Sequence, residues 1–188
     1  LDKANLHGVN FWGAGFRHMT NNVRPITGPD DLKGIKMRTL QAPAILATYR
    51  TFGANPTAMA FTEVYNGLQQ GVVEGQENPL ANIYSMRFYE VQKYMTLSGH
   101  AYHTYAAVMN KAAWESLPPD LQQVMSDAFD HARDYARQLT NEDEARILGE
   151  IKGQIEIREL TPEGRAAFVE ASKPIYKEFE KRITPELL

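Results

Sequence analysis

Arg38 stands in the middle of an apolar segment, Ile35 to Leu40, beside Met37. Burying a guanidinium in such a segment is costly unless an anion accompanies it. Its planar fork of donors matches a carboxylate bidentately. That leaves a structural salt bridge to one of the chain's own acids or a clamp for an external carboxylate, and residue pattern alone favours the salt bridge. Arg17, in the run Phe16-Arg17-His18-Met19-Thr20-Asn21, reads as a solvated loop arginine just beyond a strand. Asn78 precedes Pro79, which suits a helix N-cap with proline at the first helical position; its amide can equally donate to a ligand oxygen. Phe61 precedes the cap candidate Thr62, as a hydrophobic staple or as an apolar wall. Glu74 and Glu77 suggest paired acid/base carboxylates, but no positioned nucleophile or base partner accompanies them. His100 and His103 point to opposite faces of a predicted strand and make a poor zinc pair. His7, His18 and His131 read as surface or packing residues.

The elements that must position these side chains follow a strand–helix rhythm. Ile35 to Leu40 reads as a strand, Ala42 to Phe52 as a helix packing Ile45, Leu46, Tyr49 and Phe52, and Thr57 to Phe61 as a second strand. A helix from Thr62 stops at Gly71, and another short apolar segment runs into Gly75-Gln76-Glu77-Asn78-Pro79. Alternation of this kind implies an α/β lobe with parallel strands, whose ligands sit beyond the carboxyl ends of the strands. Leu6 to Gly15 reads as a buried strand closed by glycines, and Thr27 to Gly34 as a short helical turn. Ser98 to Met109 is β-rich; Trp114 to Leu117 reads as a short helix. Pro119 and Asp120 open a long helix whose apolar stripe is interrupted by the polar run Thr140 to Glu144. Ile155 to Leu160 is a strand, and Thr161-Pro162 begins a last helix burying Phe168, Val169, Ile175, Tyr176 and Phe179.

Bulk composition narrows the classes. The chain has 188 residues, 43% of them hydrophobic and 23% charged, as in an ordinary globular domain with a proper core. A net charge of −3 without a basic stripe gives no reason to expect nucleic acid. Cysteine is absent, which removes disulfides, thiolate catalysis and cysteine zinc sites. No apolar run approaches the length of a membrane span.

Three stretches carry a resemblance: GIKMRTL from Gly34, GANPTAMAFTEVYNGLQQGVVEGQENPL from Gly53, and FYEVQKYMTLSGH from Phe88. In order and spacing they resemble the solute receptors of tripartite ATP-independent periplasmic (TRAP) transporters, and the likeness runs from about Val9 to the C-terminus. It implies an α/β fold: a periplasmic-binding-protein-like type II lobe with a mixed, mainly parallel sheet flanked by helices, plus a long lobe-bridging helix. It assigns residues 1–98 and 152–188 to the receptor's second lobe, and residues 99–151 to a crossing strand and long helix that return to a first lobe. The first residues already resemble the middle of a receptor, so the expectation is a processed or truncated chain lacking signal peptide and first lobe.

The function implied is capture of a small organic carboxylate in the periplasm and delivery to membrane permease subunits, with no bond made or broken and no cofactor or metal. Arg38 would clamp the carboxylate, Arg17 and Asn78 would read further oxygens, and Phe61 would lie under the carbon skeleton. The solute stays open among dicarboxylates, uronates and other sugar acids, 2-oxo acids and aromatic acids; the pairs Phe11-Trp12 and Phe16-Arg17 hint at a sugar acid. Apolar surface between Tyr102 and Phe129, uncovered without a first lobe, would drive self-association. The alternatives are an α/β enzyme using Glu74, Glu77 and a histidine, and an interaction module built on the long helix.

Overall fold

A computed structural model describes residues 1–180 of the chain. In order the elements are β1 (Leu6–Asn21), β2 (Lys36–Thr39), α1 (Pro43–Thr51), β3 (Asn55–Ala58), α2 (Val64–Gln69) and β4 (Gly75–Pro79). There follow α3 (Leu80–Ser85), β5 (Tyr94–Asn110), α4 (Lys111–Glu115), α5 (Pro119–Ile151), β6 (Glu156–Glu159) and α6 (Pro162–Phe179). The last residues assigned to the second lobe in sequence, 181–188, lie outside the described ones.

The six strands form one mixed sheet in the order β3-β2-β4-β1-β5-β6. β2 runs parallel to β3 and to β4, and β5 parallel to β6. The long strand β1 is antiparallel to both β4 and β5, and its pairing with β5 spans Leu6↔Asn110 to Asn21↔Tyr94. The parallel character expected from the strand–helix rhythm therefore belongs to the β3-β2-β4 half, with an antiparallel ribbon beside it.

Side-chain alternation splits the core between the two faces of the sheet. On one face Val64, Leu68, Ile83, Phe88, Ile147 and Ile151 join α2, α3 and the end of α5. On the other, Met19, Ile35, Met37, Tyr49, Phe52 and Phe168 join α1 and α6. Arg38 alternates with Met37, so its side chain leaves the sheet opposite to the α1/α6 cluster.

Punctuation residues fix the boundaries. Around the turn Pro29–Leu32, the Asp31 carboxylate accepts from the Thr27 and Gly28 backbone N–H groups and from Thr27 Oγ1. Thr161 Oγ1 accepts from Gly164 N at the start of α6. Pro119 occupies the first turn of α5, which at 33 residues is about 50 Å long. Its two apolar patches differ in fate: Ile147 and Ile151 are buried, whereas Leu121, Val124, Tyr135 and Leu139 are exposed.

Several boundaries differ from the sequence reading. β1 does not close at Gly15; Gly13 and Phe16 flank a register shift, and Gly15 adopts φ +90°, so these glycines shape a bulge inside a longer strand. β3 lies at Asn55–Ala58 rather than from Thr57 to Phe61, and the short helix before Pro118 is Lys111–Glu115 rather than Trp114 to Leu117. In the latter, Asn110 Oδ1 accepts from Ala113 N, a cap that composition had hidden inside a β-rich run. α6 buries Phe168 and Phe179, but Val169 and Tyr176 are each 59% exposed.

Candidate functional site

The strand ends of β2 and β4, with the neighbouring stretch of β1, bring four charged or amide side chains together below the surface. Arg17, Arg38, Glu77 and Asn78 are all buried, although each is polar. Buried charges must be paired or solvated by dipoles. The two arginines meet that requirement differently.

Arg17 lies within β1, not in a loop beyond it, because the bulge at Gly13–Phe16 lets the strand continue through it. Its guanidinium grips Glu77: Nε donates to Oε2, and Nη2 donates to Oε1 at 2.9 Å and to the Glu77 carbonyl at 2.7 Å. Nη2 also reaches Asn78 Oδ1 at 3.3 Å, and Nη1 lies 2.6 Å from His103 Nδ1. Burial pushes the Glu77 carboxyl up, but hydrogen bonds from His100 and Arg17 and the Arg17 charge outweigh it and hold the pKa below the ordinary carboxylate value. Glu77 is thus a counter-ion. Glu74 instead spends a carboxylate oxygen on the Lys36 backbone N–H at 2.9 Å, so the two glutamates form no acid/base pair.

Arg38 has no carboxylate in ion-pair contact among the described residues. Nε and Nη2 both donate to one carbonyl, that of Met59, at 3.0 and 2.6 Å. Nη1 and the second Nη2 hydrogen are left, in a group with five donors. Burial lowers the guanidinium pKa; Glu77 pulls it up and Arg17 pushes it down, so the cluster is electrostatically one unit. Phe61 lies with its ring centroid 5.9 Å from Arg38 Cζ and meets Phe88 edge-on at 6.0 Å. It is an exposed aromatic ring whose edge rests on the core residue Phe88.

Asn78 is the fourth residue of the buried strand β4 and not a helix cap; α3 begins at Leu80 after Pro79. Its Nδ2 donates to Gln76 Oε1 at 2.6 Å, Gln76 Nε2 donates to Thr20 Oγ1 at 2.9 Å, and Thr20 Oγ1 donates to Gln92 Oε1 at 2.8 Å. This buried string fixes the amide orientation and leaves one Nδ2 hydrogen for another acceptor. The sequence-predicted residues therefore gather into two pairs, Arg38 with Phe61 and Arg17 with Asn78, coupled through Glu77.

The sequence reading missed Glu77 as counter-ion, and the histidines beside it. His100 Nε2 lies 3.5 Å from Glu77 Oε2 and 3.1 Å from the Tyr49 hydroxyl, and its Nδ1 is 2.7 Å from Ser98 Oγ. His18 accepts a hydrogen bond on Nδ1 from Gly99 N at 3.3 Å. Burial, then the neighbouring His100 and Arg165, lower its pKa from 6.5 to about 4. The unfolded chain then binds a proton between those values that the folded chain refuses, so stability is complete above pH 6.5 and falls as pH drops towards 4. At about 1.4 kcal/mol per pKa unit the loss approaches about 3 kcal/mol. Thermal melts between pH 7 and pH 4 should show this slope, and His18→Gln should flatten it; an unchanged slope in that variant would rule His18 out as the cause.

Known proteins resemble the chain in sequence and in fold. The DctP family model, bacterial extracellular solute-binding protein family 7, matches residues 1–182. The chain belongs to that family. It is 40% identical over 190 residues to the C4-dicarboxylate-binding periplasmic protein DctP of Rhodobacter capsulatus, covering all of this chain and 57% of that protein. To the 2,3-diketo-L-gulonate-binding periplasmic protein YiaO of Escherichia coli it is 38% identical, over 90% of this chain and 53% of the relative. Among solved structures, it is similar to a TRAP periplasmic solute-binding protein of Sulfurospirillum deleyianum with bound succinate. There the TM-score is 0.90 at 38% identity, covering 99% of this chain and 62% of that one. A Sulfitobacter relative with bound β-D-galacturonate gives a TM-score of 0.92 at 31% identity, covering 100% of this chain and 62% of its own. The chain spans about half the length of these curated family 7 relatives. The family is one of solute-binding proteins, not of enzymes.

Proposed function

We propose that the protein captures a small organic carboxylate in the periplasm and delivers it to the membrane permease of a TRAP transporter. The observation that carries this reading is Arg38: a buried guanidinium with donors to spare, held against one carbonyl and with no carboxylate partner among the described residues. An incoming carboxylate supplies the missing counter-ion bidentately. Asn78 donates its remaining amide hydrogen to a further ligand oxygen, Phe61 carries the hydrocarbon skeleton, and Arg17, held by Glu77, fixes the Asn78 amide through its contact with Oδ1. Relatives that hold succinate and galacturonate support carboxylate chemistry for the ligand. Their different solutes leave dicarboxylates and sugar acids as the candidates.

In this reading residues 1–98 and 152–188 form the second lobe of a two-lobe receptor, and residues 99–151 cross to a first lobe. Closure of the lobes excludes water and strengthens the Arg38 ion pair through the lower local dielectric; the ligand shifts the population towards the closed form. Calorimetric titration of succinate, galacturonate, erythronate and 2-oxo acids into the protein tests the function. One acid binding tightly with unit stoichiometry is expected. Silence across the panel from a folded protein overturns the reading.

The outer halves of β1 and β5 expose Phe11, Phe16, Tyr102, Tyr105 and Val108, next to the exposed stripe of α5. Exposed apolar and aromatic side chains in this number favour association in water. The 188-residue chain is expected to sediment as a concentration-dependent oligomer, and Tyr102→Glu with Tyr105→Glu to shift it to monomer. A monodisperse monomer of the unsubstituted chain at high concentration would contradict this.

A further inference from the structure

On the α1/α6 face of the sheet, opposite the side taken by Arg38, an open cavity of about 360 Å³ lies between the two helices and β5. Its size falls in the range of roughly 300–1,000 Å³ that small-molecule sites occupy, and its walls are mainly apolar and aromatic. Phe52 and Phe168 pack edge-on at 5.1 Å beneath it, while Ile175 and Tyr176 form its open side. Tyr176 and Val169 are each 59% exposed, so this side of α6 presents apolar and aromatic side chains at the cavity mouth.

Charge gives the cavity two unlike ends. The inner end holds Glu77, whose carboxylate is buried and already engaged by Arg17 and His100. The outer side holds Arg165, an exposed residue whose guanidinium nitrogens lie within 4 Å of where a Cβ on Gly99 would stand. Gly99 adopts φ +51°, so its backbone conformation and its lack of a side chain both favour an open space below the guanidinium. Among the described residues the Arg165 side chain has no hydrogen-bond or ion-pair partner.

We propose that this cavity is a second ligand site, distinct from the Arg38 site, for a small apolar monocarboxylate with an aromatic or branched hydrocarbon end. The carboxylate meets Arg165 and the hydrocarbon end enters between Phe52, Phe168 and Tyr176. A dicarboxylate is disfavoured, because its second charge would be driven against Glu77. The site shares Glu77, His100 and Tyr49 with the cluster that holds Arg17, so its occupancy bears on the posture of Arg17 as well.

Phenylacetate, titrated into the protein while backbone amide resonances are followed, is the test, with succinate as the counter-probe. Saturable shifts in residues 45–52 and 165–176 are expected with phenylacetate and not with succinate. Arg165→Gln, a surface change that leaves the fold intact, should weaken phenylacetate about fivefold, as expected for an exposed ion pair. Ser172→Trp should fill the cavity and abolish the shifts, whereas Arg38→Met should leave them unchanged. Absence of saturable shifts in the two helices, or shifts lost with Arg38→Met and indifferent to Arg165→Gln, would overturn the proposal. Succinate capture at Arg38 is read in the same spectra, so failure of one site is seen separately from failure of the other.

Discussion

Arg38→Met is expected to weaken carboxylate capture by about 100- to 1,000-fold, with little loss of fold stability. Truncating one member of a buried, hydrogen-bonded charge pair costs about 2–5 kcal/mol of binding, which spans that range. Stability responds differently because the unliganded protein already bears the cost of burying this cation. Among the described residues only the Met59 carbonyl accepts from it, and no carboxylate loses a partner when it goes. Methionine keeps most of the volume beside Phe61. Arg38→Lys separates charge from geometry: an ammonium is a point donor and cannot reproduce the two parallel bonds of the guanidinium, so partial binding with poor discrimination among acids is expected. Calorimetry and thermal melts on the same samples give both numbers. Undiminished binding in Arg38→Met would move the clamp to another cation, and Arg17 is the one within electrostatic reach.

How far this was legible in the sequence depends on the range of the signal. β2, α1 and the start of α5 were readable because each is written locally, by an apolar run, helical spacing or a proline. Arg38 was readable for the same reason: a charge inside an apolar strand is conspicuous. The place of Arg17 within a strand was not, because glycines at 13 and 15 read as a stop, and only the pairing with β5 reveals them as a bulge. Glu77 was visible but was given no role. Its partner is 60 residues away in sequence, and nothing local to the strand points to a distant arginine. Of the two readings left open for Asn78, the helix cap fails for a related reason: the dipeptide Asn-Pro favours a cap, but β4 is buried on both faces and extends through Pro79. Apolar spacing on α6 placed Val169 and Tyr176 inside, where a cavity lies instead. A void leaves no mark in hydrophobic periodicity.

Glu77→Leu is expected to be the most destabilising single substitution in the cluster, by about 3–5 kcal/mol. It strands the Arg17 guanidinium, which is 2% exposed, with a carbonyl, an amide oxygen and a histidine nitrogen in place of a carboxylate. For a chain of this size each kcal/mol lowers the melting temperature by about 2–4 °C, so a drop of about 10 °C is anticipated. The double variant Arg17→Met with Glu77→Leu should recover most of the loss, because a buried ion pair exchanged whole for apolar groups is often close to neutral. The coupling energy of that cycle decides what the pair is for. A large coupling with near-wild-type stability in the double variant means the pair adds little to folding. Its role is then to hold Arg17 and Asn78 in register beside Arg38, and the double variant should melt normally yet bind carboxylates poorly. A double variant as unstable as Glu77→Leu would mean instead that Tyr49, His100 and Ser98 depend on the Glu77 carboxylate, making the cluster a structural keystone first and a binding element second.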